Sequence, residues 1–215
     1  MASVSRQIGW SNESNLLYQI LKQITRLTSV VFGLKPKYKV FTALLTQTGP
    51  SDPQTLSSGA VTKGVTYRID GGSNGDFSNV GAPSNDDSTY FIAINNETPN
   101  SYGTCALLYD LGAPVATVLE NTIGNIWFTY NAIGEYHINS LDLFTDNKKF
   151  INGANFNTPT FNHLLNGDGT GFTSQRGYFF TSDNSTTIRL ITIEAETFSD
   201  NIISNPTCIE IRVYN

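Results

Sequence analysis

The stretch that decides the fold is Tyr38-Lys-Val-Phe-Thr-Ala-Leu-Leu-Thr-Gln47, where the sequence changes from a helical to a strand-like period. Apolar and β-branched residues fill the stretch, and the turn-forming residues Thr48-Gly-Pro-Ser-Asp-Pro53 close it. We therefore predict a mostly buried strand at this point.

Downstream, short runs of β-forming residues alternate with turn clusters, and no crossover helix is predicted between them, which excludes a parallel α/β fold. Only 14% of the residues are charged, against about 25% in a typical protein. We predict a mainly β protein in which residues 36–215 form an antiparallel β-sandwich or jelly-roll body. The further predicted strands are Val65–Asp70, Thr89–Ile94, Thr104–Tyr109, Pro114–Leu119, Ile126–Tyr130, Glu135–Ser140, Gly177–Thr181, Thr187–Ala195 and Cys208–Tyr214.

Upstream of this body, the pattern from about Asn12 to Phe32 predicts one amphipathic helix in an N-terminal domain of residues 1–35. Asn12 is a suitable N-cap, and Gly33 and Pro36 end the helix. Its apolar residues recur at spacings of three and four, which is a coiled-coil-like heptad seam. The seam residues are Leu17, Ile20, Ile24, Leu27 and Val31.

Two interpretations of the seam stay open. It packs on the β body of its own chain, the usual fate of an amphipathic helix, or it joins copies of itself or a docking protein. The seam is regular, terminal and followed by a Gly-x-x-Pro hinge at Gly33. Branched residues at the seam favour an assembly of three or more helices over a pair. We therefore expect a homo-oligomer, with a trimer favoured and Trp10 as an additional docking anchor.

The leader Ile8-Gly-Trp-Ser-Asn-Glu-Ser-Asn-Leu-Leu-Tyr-Gln-Ile-Leu-Lys-Gln-Ile-Thr-Arg-Leu27 resembles the "GWS-x-E-x-x-LL-x-x-I-x-KQ-x-x-RL" leader of structural proteins from tailed phages of Bacteroidetes hosts, crAss-like phages included. Residues 41–49 and 112–127 resemble a β module common in such proteins. The Thr-Gln-x-Gly and Ala-Pro-Val pieces of that module usually lie close together, but about 60 residues separate them here.

The gap contains a third resemblance. Gly64-Val-Thr-Tyr-Arg-Ile69, Asp76-Phe-Ser-Asn-Val-Gly-Ala82 and Thr89-Tyr-Phe-Ile-Ala93 are similar to a short module found in phage fibre and virion proteins. We infer a nested insertion at about 54–110. A module whose ends lie close together can be inserted at a turn at little cost.

These resemblances imply a virion protein of the head-fibre, capsid-decoration or tail-appendage (tail-fibre) type. Its localisation would be the virion, assembled in the cytoplasm of the host bacterium. Its partners would be further copies of itself and a capsid, portal or tail protein. The matching motifs contain no catalytic residue that can be carried over to this chain.

Composition and motifs argue against several other classes. The net charge of −5 without a basic run argues against nucleic-acid binding. Lys22 and Arg26 interrupt the apolar stretch from Leu16 to Phe32, which argues against membrane insertion, and we predict no signal peptide. The chain lacks a nucleophile-elbow motif and metal-ligand spacing. We predict no enzyme, no metal and no cofactor.

The main alternative is a receptor- or glycan-binding appendage module. Its candidate ligand contacts lie in a predicted long loop at residues 151–175, namely Phe156, Phe161, His163 and Asp168. Trp127 is either a core residue, which its alternating strand favours, or a sugar platform. His137 is expected to be half-buried in a strand. Cys105 and Cys208 are expected to be buried free thiols, although a single disulfide between them stays open.

Overall fold

The computed structural model describes residues 19–23, 37–72, 74–145, 147–152, 176–194, 197–200 and 202–214. The chain divides into two compact units, Met1–Lys37 and Tyr38–Asn215. In the first unit, residues 19–23 are helical. The rest of the predicted helix lies outside the described residues. The second unit is mainly β, with antiparallel sheets, as the sequence predicts.

Thirteen strands follow one another in the part of the second unit that is described. In chain order they are β1 (Tyr38–Thr46), β2 (Pro53–Leu56), β3 (Thr66–Asp70), β4 (Tyr90–Ile92), β5 (Ala106–Asp110), β6 (Val115–Asn121), β7 (Ile126–Ala132), β8 (Glu135–Ser140), β9 (Lys149–Asn152), β10 (Arg176–Ser182), β11 (Thr187–Glu194), β12 (Thr197–Phe198) and β13 (Thr207–Tyr214).

Two of the sheets share one hydrophobic core. The first sheet has the order β6-β1-β13-β9, and the second has the order β10-β11-β8-β7 with β12 beside β11. Alternation along each strand turns every second side chain inward, as with Phe41 in β1, Phe128 in β7 and Ile211 in β13. We call this cluster the two-sheet core. Its other members include Ala43, Leu45, Ile126, Tyr136, Ile138, Ile188, Leu190 and Ile209.

Residues 53–110 build a third sheet, the module sheet, in the order β2-β5-β3-β4. It encloses its own hydrophobic cluster, which we call the module core. A 3₁₀ turn at Ser78–Val80 contributes Val80 to this cluster. The other buried members are Val61, Tyr67, Ile69, Phe77, Phe91, Ala93, Cys105 and Leu107.

The chain leaves β1 and returns to β6 at adjacent points, where Asp110 joins the two ends of the module. Its carboxylate accepts hydrogen bonds from Ser51 Oγ at 2.5 Å, the Asp52 N–H at 2.9 Å and the Gly112 N–H at 2.8 Å. Leu111 N–H also donates to the Asp52 carbonyl. The nested insertion at about 54–110 stays a prediction, and these adjacent ends support it.

Both cysteines are free thiols, but the expectation that both are buried is wrong for one of them. Cys105 lies in the module core, whereas Cys208 is exposed. In β13 the residues Ile209, Ile211 and Val213 face the two-sheet core. Cys208 therefore points to the opposite face, because successive side chains of a strand alternate.

Candidate functional site

A cleft of about 280 Å³ lies where the module sheet meets β7. Each side contributes aromatic and polar side chains from strands that are paired with their neighbours. The residues that give the cleft its chemistry are Arg68, Tyr90, Tyr109, Asp110, Thr129 and Tyr130.

Arg68 supplies the cationic group of the cleft. It stands in the middle of β3 and is 34% exposed. Its Nη2 atom lies 3.1 Å from Asp70 Oδ1. A side-chain hydrogen bond with Tyr90 raises the pKa of Arg68, and Asp70 adds to this effect. Arg68 therefore presents a fixed guanidinium with its charge in place.

Contacts between the module and β7 hold the walls of the cleft. The Tyr90 ring stacks on Trp127, with centroids 5.3 Å apart and planes 11° from parallel. Asn125 Nδ2 donates to the Tyr90 carbonyl at 2.8 Å. The Phe128 N–H donates to Thr66 Oγ1 at 3.1 Å, a buried bond. We call the contacts between the module and the rest of the β body the module interface.

Trp127 corrects a sequence expectation. Of its two alternatives, core residue or sugar platform, the sequence favours the core, but Ile126 and Phe128 point into the two-sheet core and Trp127 lies half-buried on the other face of β7. Its partner there is Tyr90 of the module. The alternation of β7 was correctly predicted. The favoured alternative, packing in the core, is wrong, because Trp127 lies on the outer face, where the module packs against it.

A carboxylate beyond the cleft fixes the end of Tyr130. Asp200 accepts hydrogen bonds from the Tyr130 hydroxyl at 3.1 Å, the Tyr136 hydroxyl at 2.6 Å and the Gly134 N–H at 2.9 Å. Burial, followed by the hydrogen bond to Asp200, raises the pKa of both tyrosines. The two hydroxyls therefore stay protonated and act as donors.

The carboxylates Asp110 and Asp200 are thus occupied by structural hydrogen bonds. Each accepts three, and none of the donors is a nucleophile paired with a base. What the cleft offers to a ligand is aromatic surface, the Arg68 guanidinium and threonine hydroxyls. That chemistry suits binding of a polar molecule with flat faces.

His137 lies in β8, half-buried as expected, on the outward face of the second sheet. Its Nε2 is 3.5 Å from Glu135 Oε1. Arg189 of β11 lies beside it. Its Nη2 atom is 2.6 Å from Asp183 Oδ1, and its Nη1 atom is 3.7 Å from Glu135 Oε1. Within the described residues no three His, Cys, Asp or Glu side chains are grouped as a metal site would require.

Of the six predicted assembly residues, Ile20 is described. It lies in the helical residues 19–23 and is 45% exposed, and the adjacent Leu21 is 63% exposed. Outside the described residues lie Trp10, Leu17, Ile24, Leu27 and Val31, as do the candidate ligand contacts Phe156, Phe161, His163 and Asp168. In the described part of the chain, no helix has both the length and the apolar character needed to cross a membrane.

Sequence reasoning did not find the cleft. Arg68, Tyr90, Tyr109 and Tyr130 come from four strands, and only the order β2-β5-β3-β4 together with the position of β7 brings them together. The available signal was the frequency of tyrosine in these strands, which does not specify a site. Comparison with protein-family models, curated proteins and solved structures found no match to this chain.

Proposed function

We propose that this chain is a structural component of a tailed-phage virion, as a head fibre, capsid decoration or tail appendage. Its N-terminal helix would assemble it, as a trimer and against a capsid, portal or tail protein. Its β body would then be exposed on the particle, with the first and second sheets packed as a β-sandwich. The sandwich arrangement is supported by the single hydrophobic core to which strands of both sheets contribute side chains.

The observation that carries this proposal is the exposure of apolar side chains on the helix. Ile20 occupies a seam position and is 45% exposed, and Leu21 beside it is 63% exposed. Burying an aliphatic side chain contributes about 1.5 to 3 kcal/mol, so a seam of five such residues can drive association. Just over two heptads are marginal alone, which is why the β body is expected to contribute as well.

The cleft supports the non-enzymatic part of the proposal. Asp110 and Asp200 are held by structural donors, and the Tyr130 and Tyr136 hydroxyls are committed to Asp200. A carboxylate that acts as a general acid or base must be able to exchange protons with a substrate. Neither of these carboxylates is placed for that role.

The test is incorporation into particles. Leu17→Asp combined with Ile24→Asp places two carboxylates in the seam, and we expect the tagged variant to be absent from purified virions. Lys22→Asp is the matched control, because it adds a carboxylate off the seam and should leave incorporation unchanged. Circular dichroism should show that the β body of every variant is folded. Normal incorporation of the double variant would contradict the proposal.

A second candidate function, recognition of a host-surface glycan, is favoured by the cleft. Tyrosine rings provide faces on which sugar rings can stack, and Arg68 and Thr129 provide donors for sugar hydroxyls. The full chain should then bind members of a bacterial glycan array, and Arg68→Gln should abolish that binding. Arg189→Gln, on the outward face of the second sheet, should not. Absence of binding across a broad array would count against this function.

A further inference from the structure

The outer face of the first sheet carries a cluster that the cleft and the helix do not explain. Strand register places Tyr38 opposite Tyr214, and Arg212 between Val40 and Phe150. Directly opposed residues of neighbouring strands point to the same face. Ile211 and Ile151, one position away, pack at the two-sheet core. We call Tyr38, Phe150, Arg212 and Tyr214 the aromatic–arginine patch.

The patch is held in a defined geometry. The Arg212 guanidinium carbon lies 4.9 Å from the Tyr38 ring centre and 5.9 Å from that of Phe150. The centroids of the Tyr38 and Tyr214 rings are 5.6 Å apart. On its other side, Arg212 Nη2 lies 2.6 Å from Glu210 Oε1. Arginine is therefore fixed between two aromatic faces and neutralised by a neighbour on its own strand.

Large parts of these rings are in contact with solvent. Phe150 is 43% exposed and Tyr214 is 40% exposed. Aromatic residues and arginine are enriched where proteins contact one another, and they dominate the binding energy of such contacts. Three paired strands carry the side chains, so little conformational entropy is lost when a partner binds.

The position of Tyr38 in the chain indicates which partner fits. Tyr38 directly follows Lys37, the last residue of the N-terminal unit. Only residues 33–37 separate it from the predicted helix end at Phe32, and a chain of that length spans at most about 20 Å. Helices that associate in a seam would therefore bring the patches of their chains within reach of one another. Such tethering gives effective concentrations in the millimolar range.

We propose that the aromatic–arginine patch is a contact between copies of this chain, around the axis that the associated helices would define. This inference rests on the proposed function. Near a common axis the same residues of each copy meet. Because Glu210 neutralises Arg212, the patches approach without net repulsion, and each guanidinium and ring of one copy meets aromatic surface of the next.

The test uses the full chain with Phe150→Ser and Tyr214→Ser combined. Sedimentation equilibrium should show an oligomer whose dissociation constant is at least tenfold higher than that of the unsubstituted chain. Leu141→Ser is the matched control, since Leu141 is 71% exposed and lies outside the patch. An unchanged dissociation constant in the double variant would overturn the patch contact and leave helix assembly intact. A monomeric unsubstituted chain would overturn both.

A second measurement needs no substitution in the patch. Hydroxyl-radical oxidation of Phe150 and Tyr214 should be severalfold slower in the unsubstituted oligomer than in the Leu17→Asp, Ile24→Asp chain. Leu141 should be oxidised equally in both. Equal oxidation of the patch residues in an oligomer and in a monomer would overturn the inference, since copies in contact shield each other's rings.

Discussion

The two hydrophobic cores of the β body are built over very different distances along the chain. The two-sheet core joins residues from Phe41 to Val213, and β1 pairs with β13 so that Tyr38 lies opposite Tyr214. The module core draws only on residues between Val61 and Leu107. Closing long loops costs more entropy than closing short ones. The module can therefore form from its own residues, whereas the two-sheet core needs nearly the whole unit.

The module interface joins the two cores. Its polar contacts include three hydrogen bonds. The Phe128 N–H donates to Thr66 Oγ1, and Asn125 Nδ2 donates to the Tyr90 carbonyl. The Ala116 N–H donates to the Gly64 carbonyl at 2.9 Å. The stack of Tyr90 on Trp127 accompanies them, and Ile92 of β4 packs against the two-sheet core. Similar alternating strands therefore form two distinct cores in this unit, joined by identifiable contacts.

The largest expected effect comes from matched truncations in the two cores. Phe128→Ala and Phe91→Ala each remove a fully buried ring, which costs about 3 to 5 kcal/mol. In calorimetry, Phe128→Ala should lower the transition of the whole body, whereas Phe91→Ala should separate an earlier module transition from a later one. If both variants shift a single transition equally, the two cores form one cooperative unit.

A smaller effect is expected where the module interface depends on a glycine. Gly64 has φ +86°, and a Cβ there would lie 2.7 Å from the Ala116 carbonyl oxygen. Gly64→Ala should destabilise the body by about 3 kcal/mol, the upper range for strained backbone. Gly59→Ala is the control, since its φ is +89° but open space surrounds it, so only the left-handed backbone should cost about 1 kcal/mol. Equal melting temperatures for the two variants would contradict the claim that the module interface requires a glycine at position 64.

The smallest effect is a pH dependence confined to the module. Hydrogen bonds from Ser78 and Asn100 lower the pKa of Asp76 from 3.8 to about 2. A carboxyl with a lowered pKa stabilises the fold above its unfolded pKa, and this contribution is lost as pH falls through the folded value. The melting temperature of the module should therefore fall between about pH 4 and pH 2. Asp76→Asn should remove that part of the decline and Ser78→Ala should reduce it, whereas an identical pH profile for Asp76→Asn would count against the prediction.

Much of the strand content follows from the sequence, because alternation is a local property. Each predicted strand, from Tyr38–Gln47 to Cys208–Tyr214, overlaps a strand of the structure. The strands that sequence reasoning missed are β2, β9 and β12, which have four, four and two residues. β2 and β9 lie at sheet edges. Strands this short exist because a neighbour pairs with them, and their own periodicity gives little signal.

The faces of the strands were harder to predict than the strands. Alternation separates Trp127 from Phe128 and Cys208 from Ile209, but it does not say which face is covered. That depends on strand order, which sets whether the module or solvent lies over a face. For the same reason the cleft around Arg68 and the patch around Arg212 were not predicted, since each joins residues from strands distant in sequence.

The most direct test of the assembly account is the molar mass of the full chain at micromolar concentration, measured by light scattering after size-exclusion chromatography. We expect three times the 23.5 kDa mass of one chain. The Leu17→Asp, Ile24→Asp variant should fall to a single chain with an unchanged β-sheet circular dichroism spectrum. A mass of 23.5 kDa for the unsubstituted chain, or a trimer that survives the double substitution, would contradict assembly through the N-terminal helix.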